Sequence, residues 1–308
     1  MSLRVVNQLG ARAAAAVLTD FPDAEVVDFD PAGPPPGFTA DVMFGGWGEW
    51  EQLGPWVRTV PWVQLSGTGI DGLPDELFDG RTVTCARGAS GVAISEFVMA
   101  AMLAFAKDMP KVWLDAPPKH WNFHPLSTLE HKTLALVGLG GIGTEIAKRA
   151  LPFGMRVLAV RRTAAPSPVA GVEVLPDFEA LLPEADHLVL AAPGTHRTRH
   201  LVDAAALEAV KPGVHLVNIA RGSLVDQDAL RVALDDGRVA MATLDTVDPE
   251  PLPAGHWMYE HPKVRLSAHV SWGTTEHFTG SIAILVENLH RFVDGRPLRD
   301  LVDRSEGY

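Results

Sequence analysis

The chain of 308 residues is 47% hydrophobic and 21% charged, which gives room for about two domains with sizeable cores and argues against disorder. Acidic residues outnumber basic ones 38 to 26, for a formal charge of -12. Such a mean field repels nucleic-acid phosphates and anionic lipid, so only a local basic site would admit a small anion.

Leu3 to Val6 reads as a first strand leading into an alanine-rich helix. Asn7, Gln8 and Gly10 interrupt any apolar run there, which argues against a targeting peptide. Pro31, Gly33 and Pro34 to Pro36 form a loop, and Asp41 to Phe44 is a short strand. Gly45, Gly46 and Gly48 then surround Trp47. A second strand, Val60 to Leu65, opens onto Ser66 to Asp71. Cys85 is the single cysteine; it excludes an intrachain disulfide and a cysteine metal cluster, and it fits a reducing compartment. Ser95 to Ala106 is a helix that is apolar all round and must be buried. Its run from Phe97 is about half of what a bilayer requires. Pro110 ends the helix, and Trp113, Pro117, Pro118 and Trp121 mark an irregular arm. A soluble, cytoplasmic protein is expected.

From Thr133 the pattern becomes regular. Short apolar runs fall at Leu134 to Val137, Arg156 to Val160, His187 to Ala192, Val214 to Ile219, Val239 to Leu244 and Val264 to Leu266. Helical stretches at Phe178 to Leu182, Ala204 to Val210 and Gln227 to Asp235 separate most of them. That alternation predicts a parallel sheet covered on both faces. A last helix spans Thr274 to Phe292.

Gly138-Leu139-Gly140-Gly141-Ile142-Gly143 follows the first of these strands and opens a helix. In that context the spacing is a dinucleotide-binding turn. Gly138 makes the tight turn, Gly140 lets the backbone approach a pyrophosphate, and Gly143 lets helix and strand pack. The acid expected at the end of the next strand is missing; Arg161, Arg162 and Thr163 stand there instead. Two guanidiniums and a hydroxyl suit a 2′-phosphate, which favours NADP(H) over NAD(H). In open α/β sheets ligands sit beyond the carboxyl ends of the strands. Pro193-Gly194-Thr195, Arg221-Gly222, Asp245 and His269 each follow such a run, and Glu250 lies between Pro249 and Pro251. An imidazole can pass a proton, a carboxylate can hold it charged, and a guanidinium can bind an anion. Taken singly, each also reads as an ordinary packed or solvated residue.

With these pieces in order, the sequence resembles the D-isomer-specific 2-hydroxyacid dehydrogenase family, especially its glyoxylate/hydroxypyruvate reductase-like members. Ser66 to Asp71, Ile94 to Val98, Thr133 to Gly143, Pro193 to Leu201, Asn218 to Asp226, Leu244 to Pro251 and Ala268 to Trp272 carry the likeness. The resemblance implies a two-domain α/β fold. A doubly wound parallel-sheet (Rossmann) cofactor domain, 97–274, is inserted into a smaller flavodoxin-like substrate domain of 1–96 and 275–308, with the active site in the cleft. It implies a homodimer through the cofactor domain, with the arm from Lys111 to Trp121 at the interface and no further domain after the last helix.

On the same likeness, Arg221 binds the substrate carboxylate and carbonyl, His269 is the catalytic histidine, and Glu250 is its acid partner. Thr68 and Gly69 hold the substrate carboxylate through backbone N–H groups. Asp245 lies near the nicotinamide carboxamide, and Pro193, Thr198, Ile219 and Ala220 line the cofactor cleft. No metal is implied. Trp47, Trp50 and Trp272 are candidate walls of the substrate pocket, with packing as the alternative. Two positions depart from the family pattern: the Arg161-Arg162 pair, and His131 where glycine is usual. The expected reaction is hydride transfer between NAD(P)H and a small 2-oxo acid. A non-catalytic NAD(P)H-binding corepressor on the same fold is the alternative. A formate dehydrogenase would carry glutamine at Glu250.

Overall fold

The structure is a computed structural model that describes residues 3–122, 124–163 and 165–304. It divides into two compact units, one of Met1–Ser90 with Thr274–Tyr308 and one of Gly91–Gly273.

In the first unit β1 (Arg4–Asn7), β2 (Glu25–Asp28), β3 (Val42–Gly45), β4 (Trp62–Leu65) and β5 (Thr82–Thr84) form a parallel sheet of order β2-β1-β3-β4-β5. That is the flavodoxin-like order, with its switch point between β1 and β3. Successive residues point to opposite faces, and the apolar strands supply both. Val5, Val42, Phe44 and Trp62 pack against α1 (Ala11–Asp20) and the C-terminal helix α7 (Thr275–Val293). Val6, Met43, Val63 and Leu65 pack against α2 (Trp50–Val57). A buried polar ladder ties α7 to the sheet: Asn288 Nδ2 donates to Gln64 Oε1 at 2.9 Å, and Ser281 Oγ donates to Ser66 O at 2.6 Å.

The second unit opens with α3 (Gly91–Ala106), followed by β6 (Thr133–Val137), α4 (Gly141–Ala150), β7 (Arg156–Val160), β8 (Val172–Val174) and β9 (His187–Leu190). Then come α5 (Ala204–Ala209), β10 (Val214–Asn218), α6 (Gln227–Asp235), β11 (Val239–Leu244) and β12 (Val264–Leu266). The sheet order is β12-β11-β10-β9-β6-β7-β8, all parallel. It is the doubly wound Rossmann order extended by one strand, and the order reverses between β6 and β9. β6, β9 and β10 are buried along their whole length because helices cover both faces. Leu134, Leu136 and Val217 pack on one side with Met102 of α3 and Ile146 of α4. Leu188 and Leu216 pack on the other with Leu207 of α5 and Leu230 of α6.

Several details differ from the sequence reading. The chain passes between units at Ser90/Gly91 rather than after Glu96, because α3 begins four residues earlier than the apolar pattern shows and its first turn belongs with the rest of the helix. Phe178 to Leu182 is not a helix; a single 3₁₀ turn at Leu182–Glu184 stands there, where Pro183 cannot donate an N–H. Trp50 lies in α2 rather than in a loop. His131 has φ 62°, a left-handed conformation that glycine adopts without steric cost. The arm is irregular, and Trp113 and Trp121 are 70% and 74% exposed. Among the described residues no helix is long and apolar enough to cross a membrane.

Candidate active site

In the second unit the chemistry gathers at the carboxyl ends of β6, β10, β11 and β12. After β6, Gly138 adopts φ 104°, and a Cβ there would meet Ala191 O at 2.8 Å. A Cβ on Gly143 would overlap the Gly138 carbonyl, so α4 packs onto the turn only as glycine. Gly140 is different: a Cβ on it would meet no protein atom within 4 Å. The turn is thus tight where it faces the protein and open where a ligand would approach. α4 starts at Gly141 with no side-chain cap, leaving its first N–H groups for an anion. Leu139 and Ile142 turn their side chains into the core. This cradle fits a dinucleotide pyrophosphate.

Beyond β7, Arg161 donates from Nη1 to Pro166 O at 3.0 Å, while Arg162 and Thr163 are exposed. Beyond β9, the Thr198 hydroxyl donates to Pro193 O at 2.7 Å and accepts from Thr195 N at 2.8 Å, which closes the loop on itself. Beyond β10, buried Asn218 accepts from Ala220 N at 3.0 Å and donates to Arg221 O at 2.9 Å. That turn buries Ile219 and Ala220 and sets the backbone of Arg221, whose Nη1 donates to Ala220 O at 2.7 Å. Gly222 lies so close to Val247 that any side chain on it would overlap the Val247 carbonyl. Arg221 and the loop leading to Glu250 are therefore packed backbone to backbone.

Asp245 ends β11 and is 1% exposed. Its carboxylate accepts from Ser267 Oγ at 2.6 Å, Val270 N at 2.9 Å and Ser271 N at 3.0 Å. Its backbone oxygen accepts from His269 N at 2.9 Å. A buried charge is tolerable when donors satisfy it in this way. The four bonds hold His269 at φ 52°, a conformation that a non-glycine residue keeps only when its surroundings impose it. These bonds make Asp245 the residue that shapes the histidine loop.

His269 Nδ1 and Glu250 Oε2 are 2.9 Å apart, with side chains 35% and 37% exposed. Glu250 Oε1 accepts from Val247 N at 3.1 Å, which fixes the carboxylate. A carboxylate accepts only, so Nδ1 is the donor of this bond. The pair lines a cavity of about 590 Å³ walled by Val247, Pro251, Leu252 and Leu266. Trp272 packs against the core beside α3 and α4.

In the first unit, loop Ser66 to Asp71 follows β4. Thr68 Oγ1 donates to Ala86 O at 3.3 Å, and Ala86 N donates to Gly67 O at 2.8 Å. The Trp47 ring lies against this loop: a Cβ on Gly67 would sit 2.9 Å from Trp47 Cζ2. Trp50 packs on the α2 side of the sheet and along its own helix toward Gly54. Sequence reasoning missed Asn218 and Ser267 as individual residues, since nothing local marks a serine that will meet an aspartate 22 residues away.

A model of the "D-isomer specific 2-hydroxyacid dehydrogenase, NAD binding domain" matches residues 99–271. The chain is 31% identical over 248 residues to D-3-phosphoglycerate dehydrogenase of Methanocaldococcus jannaschii, covering 78% of this chain and 47% of that one. It therefore spans about half the length of that relative. It is 33% identical over 237 residues to glyoxylate reductase of Thermococcus litoralis, covering 73% and 71%. The crystal structure of a D-isomer specific 2-hydroxyacid dehydrogenase from Xanthobacter autotrophicus Py2, in complex with NADPH and MES, matches over 100% of both chains. Its TM-score is 0.85 at 24% identity, a likeness of fold. The chain belongs to the D-isomer specific 2-hydroxyacid dehydrogenase family.

Proposed function

We propose that the protein reduces a small 2-oxo acid to its D-2-hydroxy acid, in the manner of glyoxylate and hydroxypyruvate reductases. The observation that carries this reading is the His269–Glu250 pair, set in a loop that Asp245 holds rigid. The Gly138–Gly143 turn would hold a nicotinamide dinucleotide, which when bound would supply a hydride to the keto carbon. His269 gives the proton to the keto oxygen from Nε2, and Glu250 opposite Nδ1 stabilises the imidazolium that precedes the transfer. Arg221 binds the substrate carboxylate and polarises the carbonyl through fixed positive charge. The Thr68 and Gly69 N–H groups are proposed carboxylate donors, on the strength of the family resemblance. Pro193, Thr198, Ile219 and Ala220 would line the cofactor, and Asp245, its carboxylate engaged by the histidine loop, would lie near the carboxamide. Nothing in the geometry favours a non-catalytic sensor.

NADP(H) is the proposed cofactor, because Arg161, Arg162 and Thr163 occupy the position where an acid would repel a 2′-phosphate. A cytoplasmic homodimer is the proposed form, with exposed Trp113, Leu114 and Trp121 of the arm covered by a second copy. The test is a panel of 2-oxo acids, with NADPH and NADH oxidation followed in parallel. Turnover of glyoxylate or hydroxypyruvate is expected, faster with NADPH. Arg161→Ala with Arg162→Ala should raise the KM for NADPH by about tenfold or more, since two charge-assisted contacts are lost, and should leave that for NADH within about twofold. No turnover with any 2-oxo acid would overturn the reading.

A further inference from the structure

Asn218 is the last residue of β10 and is 1% exposed. A buried amide needs partners for both its oxygen and its nitrogen. The strand supplies none, because its main chain is spent on β9 and β11. The residues that follow supply them instead. Oδ1 accepts from Ala220 N at 3.0 Å, and Nδ2 donates to Arg221 O at 2.9 Å. These partners fix which way the amide is turned, since an N–H can face only the oxygen and a carbonyl only the nitrogen. Arg221 is extended, at φ -145° and ψ 144°, and its carbonyl also accepts from Leu224 N at 3.2 Å to close the 3₁₀ turn Gly222–Leu224. Buried Ala220 is thereby gripped twice. Its N–H is taken by Asn218, and its carbonyl accepts from Arg221 Nη1 at 2.7 Å. The guanidinium therefore follows the turn that the amide closes. On its other side the main-chain oxygen of Asn218 accepts from Asp245 N at 2.9 Å, and Asp245 O accepts from His269 N at 2.9 Å. One residue thus ties the Arg221 turn, through its side chain, to the strand end that supports His269, through its main chain. Only the first of these links depends on which side chain stands there.

We propose that Asn218 is a positioning residue for substrate binding: its side-chain amide holds the Arg221 guanidinium in place for the substrate carboxylate, while the proton-transfer pair keeps supports of its own. The inference rests on the proposed reduction of 2-oxo acids, in which Arg221 binds that carboxylate. Asn218 touches none of the reacting atoms and acts only through the turn it closes. Alanine there leaves the Ala220 N–H without its acceptor and Arg221 O without one of its two donors, inside a buried turn. Aspartate keeps the acceptor for Ala220 N but sets its second oxygen against the Arg221 carbonyl, so neither replaces the amide.

The test compares wild type with Asn218→Ala, Asn218→Ser, Arg221→Ala and the double variant Asn218→Ala with Arg221→Ala. In Asn218→Ala the KM for glyoxylate should rise about fivefold or more, the scale of one or two lost hydrogen bonds. The affinity of the NADPH-bound enzyme for oxamate, an unreactive isostere of a 2-oxo acid, should weaken by a similar factor. The fall in kcat should be smaller than the rise in KM, because the main-chain bonds that support His269 are unchanged. NADPH affinity, followed by fluorescence titration, should be unaltered, which separates this effect from a general loss of fold. Asn218→Ser keeps a short acceptor for Ala220 N and should fall between the two; it carries the same comparison where the alanine variant does not fold. In the double variant kcat/KM should be no lower than in Arg221→Ala, since residues that act through one another do not add. Hydrogen exchange at the Ala220 amide should accelerate in both single Asn218 variants, independently of turnover. A glyoxylate KM and oxamate affinity unchanged in Asn218→Ala, or additive losses in the double variant, would overturn the inference. Unaltered exchange at Ala220 would overturn the grip on the turn. A wild type that binds oxamate, more weakly after Asn218→Ala, yet turns over no 2-oxo acid overturns the proposed reduction and not this inference; one that does neither overturns both.

Discussion

Replacing His269 by alanine is expected to lower kcat for 2-oxo acid reduction by about 10²–10⁴-fold, the range over which a positioned general acid acts. The KM for the 2-oxo acid should change little, because Arg221 and the Thr68–Gly69 loop are left intact, and cofactor affinity measured by fluorescence titration should be unchanged. The size of the effect follows from how the imidazole is held. Glu250 fixes Nδ1 at 2.9 Å, and Asp245 fixes the backbone on both sides of the ring's own peptide. Glu250→Gln should cost less than His269→Ala. The amide oxygen still accepts from Nδ1–H and keeps the tautomer, but the charge that stabilises imidazolium is gone. Equal losses in kcat/KM for both cofactors would place the defect in proton transfer rather than in cofactor binding.

Acid should unfold the second unit through a pair of histidines far from the active site. His187 opens β9 and His215 lies in β10; their Nδ1 atoms are 3.1 Å apart, and His215 Nε2 meets Thr243 Oγ1 at 2.9 Å. Phe105 of α3 stacks on His215 with ring centroids 4.5 Å apart. Two facing Nδ1 atoms share a single proton, so both rings cannot be charged. Burial depresses His187 to about 4 and holds His215 well below the usual 6.5, with the charge of His187 adding to the effect. In the unfolded chain both bind protons near 6.5. Between those values the unfolded state binds more protons, so stability falls as pH drops and is whole only above about 6.5. For His187 alone the loss at pH 4 is on the order of 3 kcal/mol, at about 1.4 kcal/mol per unit. Asp186, lowered by Lys211 and the Thr133 N–H against its own burial, acts in the same direction at lower pH. Urea midpoints from pH 7.5 to 4.5 should therefore fall steeply in wild type. They should fall less in a variant carrying His187→Gln and His215→Gln, whose stability at pH 7.5 serves as its own reference. Parallel slopes in the two proteins would contradict the assignment.

The sequence was most legible where one physical signal dominated. β6, β9 and β10 are buried on both faces, so they read as unbroken apolar runs. α6 spans Gln227–Asp235 as expected, with Asp226 capping the Asp228 and Ala229 N–H groups. The short strands β2, β5 and β8 were not legible, since each carries exposed positions at a sheet edge and too few residues to show a period. α2 was hidden by Gly54 and Pro55, both weak helix formers that tertiary packing overrides here.

In the site, Arg221, Glu250 and His269 each had an ordinary alternative when taken singly, and it was the order of several motifs together that singled them out. Their supports did not stand out. Asp245 was visible as a strand-end acid. Its hold on the histidine loop was not, because its donors come from a loop more than twenty residues on.

The most direct measurement follows the hydride itself. Hydroxypyruvate is reduced with NADPH carrying deuterium on the transferred face of nicotinamide carbon 4, and the product is analysed by NMR and chiral chromatography. Deuterium on carbon 2 of D-glycerate, absent when His269→Ala replaces wild type under the same conditions, is the outcome expected. Undeuterated product, the L isomer, or full turnover by His269→Ala would contradict it.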